Sequence, residues 1–174
     1  MLFVNEEPPY FKTELMGSLV YAKRLKQSGE PMLGMFSLET LGFYSDAPHS
    51  QRYPPPLGLL YPTTGNFVAF VGLTSSRALV RRTVASFRAL VPFPSEGGTA
   101  PGIIPGINWS DHWAFEQVGV PALMITDTAL FRYPHYHTAA DSPDKVDYER
   151  LTRVVSGLEQ VVRDWALIRP AAPL

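Results

Sequence analysis

The feature that most constrains the fold is the alternation of short apolar runs with amphipathic segments along the chain. The apolar runs, which are typical of buried strands, are 2–4, 32–38, 66–71 and 121–126. The segments with helical spacing of apolar residues follow Thr13, Ser75 and Ser110, and the last begins at Asp147. This order predicts an α/β fold with a mostly parallel central sheet and helices on both faces.

Composition narrows the class of protein. The 174 residues are 45% hydrophobic, which predicts a single domain, 1–174, with one real core and excludes a disordered chain. The 15 basic and 16 acidic residues give a net charge of −1, which argues against a nucleic-acid partner. The absence of cysteine excludes disulfides, thiolate catalysis and cysteine-ligated zinc. No apolar run predicts a membrane span or a signal peptide, so the localisation stays open.

Two proline-rich segments, 44–65 and 92–108, interrupt the alternation. The chain holds 17 prolines, about twice the usual share, and neither segment has a period. Structureless loops of this length in a compact domain are usually functional or disordered. We therefore expect both segments to form long loops.

Carboxylates and imidazoles follow three of the predicted strands. Glu6 and Glu7 follow the first strand, Glu39 follows the second, and His135 and His137 follow the last. Ligands of open α/β sheets bind at the carboxyl ends of the strands, so these side chains are expected at one edge. Their donor atoms suit zinc or manganese, and of two adjacent carboxylates one can ligate while the other acts as a base.

The polar residues near this edge allow more than one interpretation. Of the two histidines beside Tyr136, both, one or neither can ligate a metal. Asp141 lies behind them. Asp111 suits the positive end of a helix dipole, and Asp111 or His112 can instead orient a ligand.

These motifs together resemble the two-zinc aminopeptidases of peptidase family M28, whose one-zinc relatives are the glutaminyl cyclases. The resemblance covers nearly the whole chain, because four motifs occur in the family's order. They are Asn5-Glu6-Glu7, the segment 39–44, Ser110-Asp111-His112 and the segment 137–144. It implies a metal-dependent hydrolase that releases N-terminal residues from peptides through attack by a metal-bound water.

The resemblance also implies roles for individual residues. Glu6 would be the general base, Glu7 and His137 would share one zinc, and Glu39 would bind the other. Asp111 would support the site. Aromatic residues expected near it favour apolar substrates, and these are Phe43, Tyr44, Trp109, Tyr133 and Tyr136.

One departure from the family separates the hypotheses. The family places a histidine and a metal-bridging aspartate before its Glu-Glu pair, whereas only five residues, none of them His or Asp, precede Glu6. We therefore expect this chain to be the C-terminal part of an aminopeptidase-like catalytic domain, truncated at its N-terminal side. Members of the family bind one or two zinc ions. Only Asp111, Asp127 and Asp141 could replace the bridge. The alternative is a non-catalytic remnant that binds a peptide or a partner, and its exposed sheet edge would allow a homo-oligomer to form. A one-zinc transferase of the glutaminyl cyclase type is the third hypothesis.

Overall fold

A sheet with helices on both faces forms the centre of the computed structural model, which describes residues 1–167. The strands are β1 Met35–Glu39, β2 Val68–Leu73, β3 Ser95–Ala100 and β4 Ala122–Thr126. The α-helices are α1 Gly17–Ser28, α2 Arg77–Leu90, α3 His112–Gln117, α4 Ala129–Arg132 and α5 Tyr148–Ala166. Short 3₁₀ turns occur at Leu57–Leu59, Thr74–Ser76 and Pro143–Lys145. The predicted α/β class is confirmed.

The sheet formed by residues 1–167 has the strand order β1-β4-β2-β3. β1 is parallel to β4 and β2 is parallel to β3, whereas β2 and β4 are antiparallel. The mostly parallel character is thus confirmed, and the antiparallel central pair is new. Alternation of strands and helices predicts crossovers, but it does not specify which strands become neighbours.

The two faces of the sheet pack against different helices. On one face, α2 and α5 cover Val68, Phe70, Leu123 and Ile125. On the other, α1 and α3 cover Ala122 and Met35 at the start of β1. The rest of this second face stays open as the floor of a pocket. Within residues 1–167, no helix has the length and apolarity needed to cross a bilayer.

β3 lies inside the segment 92–108 that we predicted to be a loop. Its sequence includes Gly97 and Gly98 and lacks large apolar side chains, so no period marks it. It forms by backbone pairing to β2, with Val68 opposite Ser95. Gly97 is required by packing, since an added Cβ would lie 2.7 Å from a methyl carbon of Val84 on α2.

The predicted first strand, 2–4, is wrong. These residues form no strand, and Leu2 and Val4 are 99% and 70% exposed. Phe3 alone packs, with its ring centroid 5.6 Å from that of Tyr21 and 6.2 Å from that of Phe115. Three apolar residues without a neighbouring strand to pair with do not form a β-strand.

The predicted helix ends are confirmed more often than the starts. α1 begins at Gly17, because the Thr13 hydroxyl oxygen accepts from the Leu15 N–H (3.3 Å) within an earlier turn. It ends at Gly29, whose φ of 72° is left-handed. Asp147 caps α5 as predicted, accepting from the Arg150 N–H at 2.9 Å.

The serines predicted to cap α2 and α3 bond elsewhere. The Ser75 and Ser76 hydroxyls donate to the Glu116 carboxylate, which joins the start of α2 to α3. The Ser110 hydroxyl lies 2.7 Å from the Ser37 hydroxyl on β1. These serines therefore connect elements that the sequence pattern treats separately.

Candidate active site

The candidate site lies at the carboxyl ends of β1 and β4. Glu39 is the last residue of β1, and Asp127 follows the last residue of β4. Since these strands are parallel and adjacent, both carboxylates reach the same edge. The N-terminal segment brings Glu6 and Glu7 there, and the loop after α4 brings His137.

Glu7 and His137 are in contact although they are far apart in sequence. The Oε1 atom of Glu7 lies 3.3 Å from Nε2 of His137, and both side chains are more than half exposed. The Tyr136 ring stacks on the imidazole, with ring centroids 4.0 Å apart and planes at 15°. The expected convergence is therefore present. The assignment of these residues as zinc ligands stays a prediction.

Glu6 lies among carboxyl groups. Burial, and then the charges of Glu39, Asp111 and Glu7, raise the pKa of Glu6 to about 8. Burial also raises the pKa of Glu39, with contributions from Glu7, Asp111 and Asp127. Clustered carboxyl groups repel one another when ionised, and a nearby cation relieves that repulsion.

Asp111 adds a polar atom without a partner to this cluster. Its Oδ1 atom is buried and accepts no hydrogen bond from the residues described. Burial raises the pKa of Asp111. A buried acceptor without a donor is unfavourable, and such atoms commonly face a ligand, an ion or water.

The donors present can be compared with what zinc requires. Carboxylate oxygens and imidazole nitrogens are among its usual ligands, and zinc sites use at least three protein side chains. No group of three His, Asp or Glu side chains within residues 1–167 is arranged to hold a metal ion. Glu7 and His137 therefore suit zinc in kind and by their contact, and among residues 1–167 they supply two of the three or more donors that a zinc site uses.

Asp127 shapes the loop that follows Glu39. Its Oδ1 accepts from the Thr40 hydroxyl (2.9 Å), and its Oδ2 accepts from the Phe43 N–H (2.7 Å). Its own N–H donates to the Thr40 carbonyl oxygen at 2.8 Å. Both carboxylate oxygens are thus engaged in a side chain only 1% exposed, and this use differs from the metal bridge considered from the sequence. The sequence signal for this role was the position of Asp127 directly after a buried strand.

Backbone conformation is unusual around the cluster. Asn5, Thr40, Thr128 and His137 have φ values of 60°, 39°, 62° and 56°. Each is a non-glycine residue in the left-handed region, and each adjoins or belongs to the site. Such strain persists where the surrounding contacts fix the backbone, which happens often at functional sites.

Three other predicted site residues have different surroundings. His112 is fully buried, and its Nε2 lies 2.9 Å from the Ile107 carbonyl oxygen, to which it donates. Asp141 accepts from the Tyr133 hydroxyl at 2.9 Å on the exposed loop. Tyr136 lies beside Glu39 and Glu7, and burial, followed by those charges, raises its pKa to about 12.

A pocket of about 140 Å³ opens beside the carboxyl cluster. Its floor is the sheet face that carries Glu39, and Trp109 and Tyr136 line it. The other aromatic residues expected here have structural roles. Tyr44 lies in the core, and Phe43 packs against Tyr133 with ring centroids 4.7 Å apart and planes tilted by 40°.

Comparisons with known proteins match this arrangement. The model of peptidase family M28 matches residues 1–162. The uncharacterized protein YfbL of Escherichia coli (strain K12) is 40% identical over 157 residues, covering 90% of this chain and 48% of YfbL. The LapA aminopeptidase of Legionella pneumophila is similar in structure, with a TM-score of 0.66 at 15% identity over 90% of this chain and 37% of LapA. The aminopeptidase of Aneurinibacillus sp. strain AM-1 has a TM-score of 0.54 at 23% identity, covering 91% and 32%.

These matches differ in what they establish. The two solved aminopeptidase structures show only that the fold is shared, because their sequence identities to this chain are 15% and 23%. The chain spans about half the length of YfbL and about a third of each aminopeptidase. The family match covers all but the last residues, and so the chain belongs to peptidase family M28.

Proposed function

We propose that this chain carries the general base and part of the metal ligands of a zinc-dependent aminopeptidase-type hydrolase. The family match and the aminopeptidase folds support a peptidase-type hydrolase. The observation that carries the finer proposal is the 3.3 Å contact between Glu7 and His137, beside the partly buried Glu6.

Glu7 and His137 would hold one metal ion and Glu39 would hold the other, each together with donors from outside residues 1–167. Bound zinc lowers the pKa of water and polarises the peptide carbonyl group. Tyr136 fixes the plane of the His137 ring by stacking on it. The side chains of this chain would thus supply part of the ligand set.

Glu6 would move the proton. A carboxylate oxygen of Glu6 takes a proton from the attacking water and delivers it to the amine of the leaving peptide. Burial and the charges of Glu39, Asp111 and Glu7 raise the pKa of Glu6 when no cation is present, and a bound metal would lower that pKa and so favour the carboxylate that accepts the proton. The surplus of carboxyl groups also attracts the ammonium group of a peptide N-terminus, which favours removal of the first residue.

Replacement of single site residues tests these roles. We expect Glu6→Gln to lower the release of N-terminal residues about 10²- to 10⁴-fold while zinc binding, measured by calorimetry, stays as in the wild type. His137→Ala and Glu7→Gln should weaken zinc binding itself. Glu30→Gln, an exposed change of the same type after α1, is the matched control. A Glu6→Gln protein as active as the wild type would refute the assignment of the base.

One observation favours a second function, a non-catalytic peptide- or partner-binding module. Residues 1–167 contain no complete three-ligand group. In that case zinc affinity stays low, peptides bind without cleavage, and Glu6→Gln changes nothing. The outer edge of β1 pairs with no strand among these residues, so a second copy could bind there. Sedimentation of the purified chain tests for this homo-oligomer.

A further inference from the structure

We propose that the pocket receives the side chain of an N-terminal lysine or arginine, whose terminal cation pairs with Glu96. This inference rests on the proposed function, because it names the substrate residue for the same site. It follows from the register of the sheet, the lining of the pocket and the Glu96 carboxylate, which has only a long ion pair to Arg88 among residues 1–167.

The register places two carboxylates at opposite ends of the pocket floor. Glu39 on β1 lies opposite Thr126 on β4, which lies opposite Ala69 on β2, which lies opposite Glu96 on β3. These four residues form one row across the sheet. With neighbouring strands roughly 4.8 Å apart, the row spans about 14 Å between its outer Cα atoms.

Both carboxylates lie on the pocket side of the sheet. Directly opposed residues share a face, and Glu39, Ala69 and Glu96 all line the pocket. The glycines after Glu96 show which positions of β3 face each side of the sheet. A Cβ at Gly97 would contact the helix α2 on the far face, whereas a Cβ at Gly98 would lie 2.5 Å from the Tyr61 hydroxyl, above the floor.

The space between the two ends is apolar. Val71 and Met124 line its floor in the next row of the sheet. Tyr53 and Tyr61 form a wall, with ring centroids 5.8 Å apart and planes at 28°. Burial and then the charge of Glu96 raise the pKa of Tyr61, which places that carboxylate near the wall. Such a channel suits the methylene stem of a basic side chain and its cation at the far end.

Glu96 forms one long ion pair and accepts no hydrogen bond from residues 1–167. The Nη2 atom of Arg88 lies 3.8 Å from Oε2 of Glu96, which is too far for a hydrogen bond, so the carboxylate can still accept one from a ligand. Arg88 instead donates through Nε to the Ser95 hydroxyl (3.1 Å) and through Nη2 to the Ser95 carbonyl oxygen. Because the Glu96 side chain is only 30% exposed, a bound apolar residue would remove water from it without supplying a donor.

The test compares the binding of L-lysinamide with that of L-norleucinamide, which lacks only the terminal amine. NMR chemical shifts of the methyl groups of Ala69 and Val71, which line the pocket of the full chain, report binding of the amide without any need for hydrolysis. We expect lysinamide to bind about fivefold tighter. Glu96→Gln should bring this ratio to about 1, whereas the remote Glu30→Gln should leave it unchanged.

A second measurement needs no variant. Raising sodium chloride from about 0.05 to about 0.5 M should reduce the lysinamide preference of the wild type, because salt screens a partly exposed ion pair. The proposal is overturned by equal or tighter binding of norleucinamide, by a ratio that survives Glu96→Gln, or by failure of both amides to bind. Loss of hydrolysis in Glu6→Gln with the ratio unchanged would keep the two proposals separate.

Discussion

Arg132 at the end of α4 is a buried cation that holds three separate segments together. Its Nε donates to Oε1 of Gln51 at 2.8 Å. Its Nη1 donates to the carbonyl oxygens of Phe67 and Phe43 at 3.0 and 3.3 Å. The guanidinium also lies 4.6 Å from the Phe67 ring centroid, and the residue is only 8% exposed. Replacement of Arg132 by methionine keeps the bulk and removes every donor.

The magnitude follows from the acceptors left behind. Gln51 keeps the Thr128 hydroxyl as a donor at 3.0 Å, so two backbone carbonyl oxygens lose their partner. Each orphaned buried acceptor costs about 1–3 kcal/mol, and removal of a buried cation returns part of that sum. The cation itself is desolvated, since the residue is only 8% exposed, and this burial lowers the pKa of Arg132 to about 10. We expect the free energy of unfolding to fall by about 3 kcal/mol and Tm by roughly 6–12 °C.

Urea denaturation followed by circular dichroism measures this change. Arg163→Met is the control, since Arg163 pairs with Glu159 on the exposed side of α5 and should contribute less than about 0.5 kcal/mol. An Arg132→Met protein as stable as this control would show that the buried contacts do not anchor the loops.

Two further predictions concern His112 and Gly157. Burial lowers the pKa of His112, so between that value and ~6.5 the unfolded chain binds a proton that the folded chain does not, and stability falls as pH falls. His112→Gln keeps a donor for the Ile107 carbonyl oxygen. In urea denaturation between pH 7.5 and 5.5, the free energy of unfolding of this variant should rise relative to that of the wild type as pH falls, and a constant difference would contradict the prediction. The raised pKa of Glu6 has the opposite effect on stability, and it cancels because both proteins contain Glu6. Gly157→Ala places a Cβ 2.3 Å from a methyl carbon of Val91, so the variant should lose about 1–3 kcal/mol in the same assay, and an unchanged midpoint would mean that α5 shifts freely.

The sequence predicted the strands that are continuous apolar runs and the helices whose apolar residues repeat at helical spacing. β4 was predicted as 121–126, and all five residues of the strand are buried. The end of α1 at Gly29 and the cap of α5 at Asp147 depend on local chemistry, so they too were predictable. β3 was not, because an edge strand that pairs through its backbone needs no apolar pattern.

The site was predictable in its donors and less so in its contacts. Motif order suggested that Glu7 and His137 converge, and they lie 3.3 Å apart. Asp127 was considered only as a bridge, because no local pattern shows that Thr40 and Phe43 will donate to it. Glu96 was missed, since a single glutamate beside glycines looks like a solvent-exposed loop residue until strand register places it in line with Glu39.

The carboxylates of this edge divide by whether the protein satisfies them. Asp127 receives donors at both oxygens and therefore fixes the loop. Among residues 1–167, Asp111 keeps a buried oxygen without a donor, and Glu96 has no donor at hydrogen-bond distance. Glu6 is surrounded by like charges. Groups left this way lower the stability of the free protein, and a bound cation recovers that energy. Glu6 and Asp111 lie near Glu39 at one end of the pocket floor and Glu96 lies at the other, so these carboxylates favour a ligand that carries positive charge at both ends.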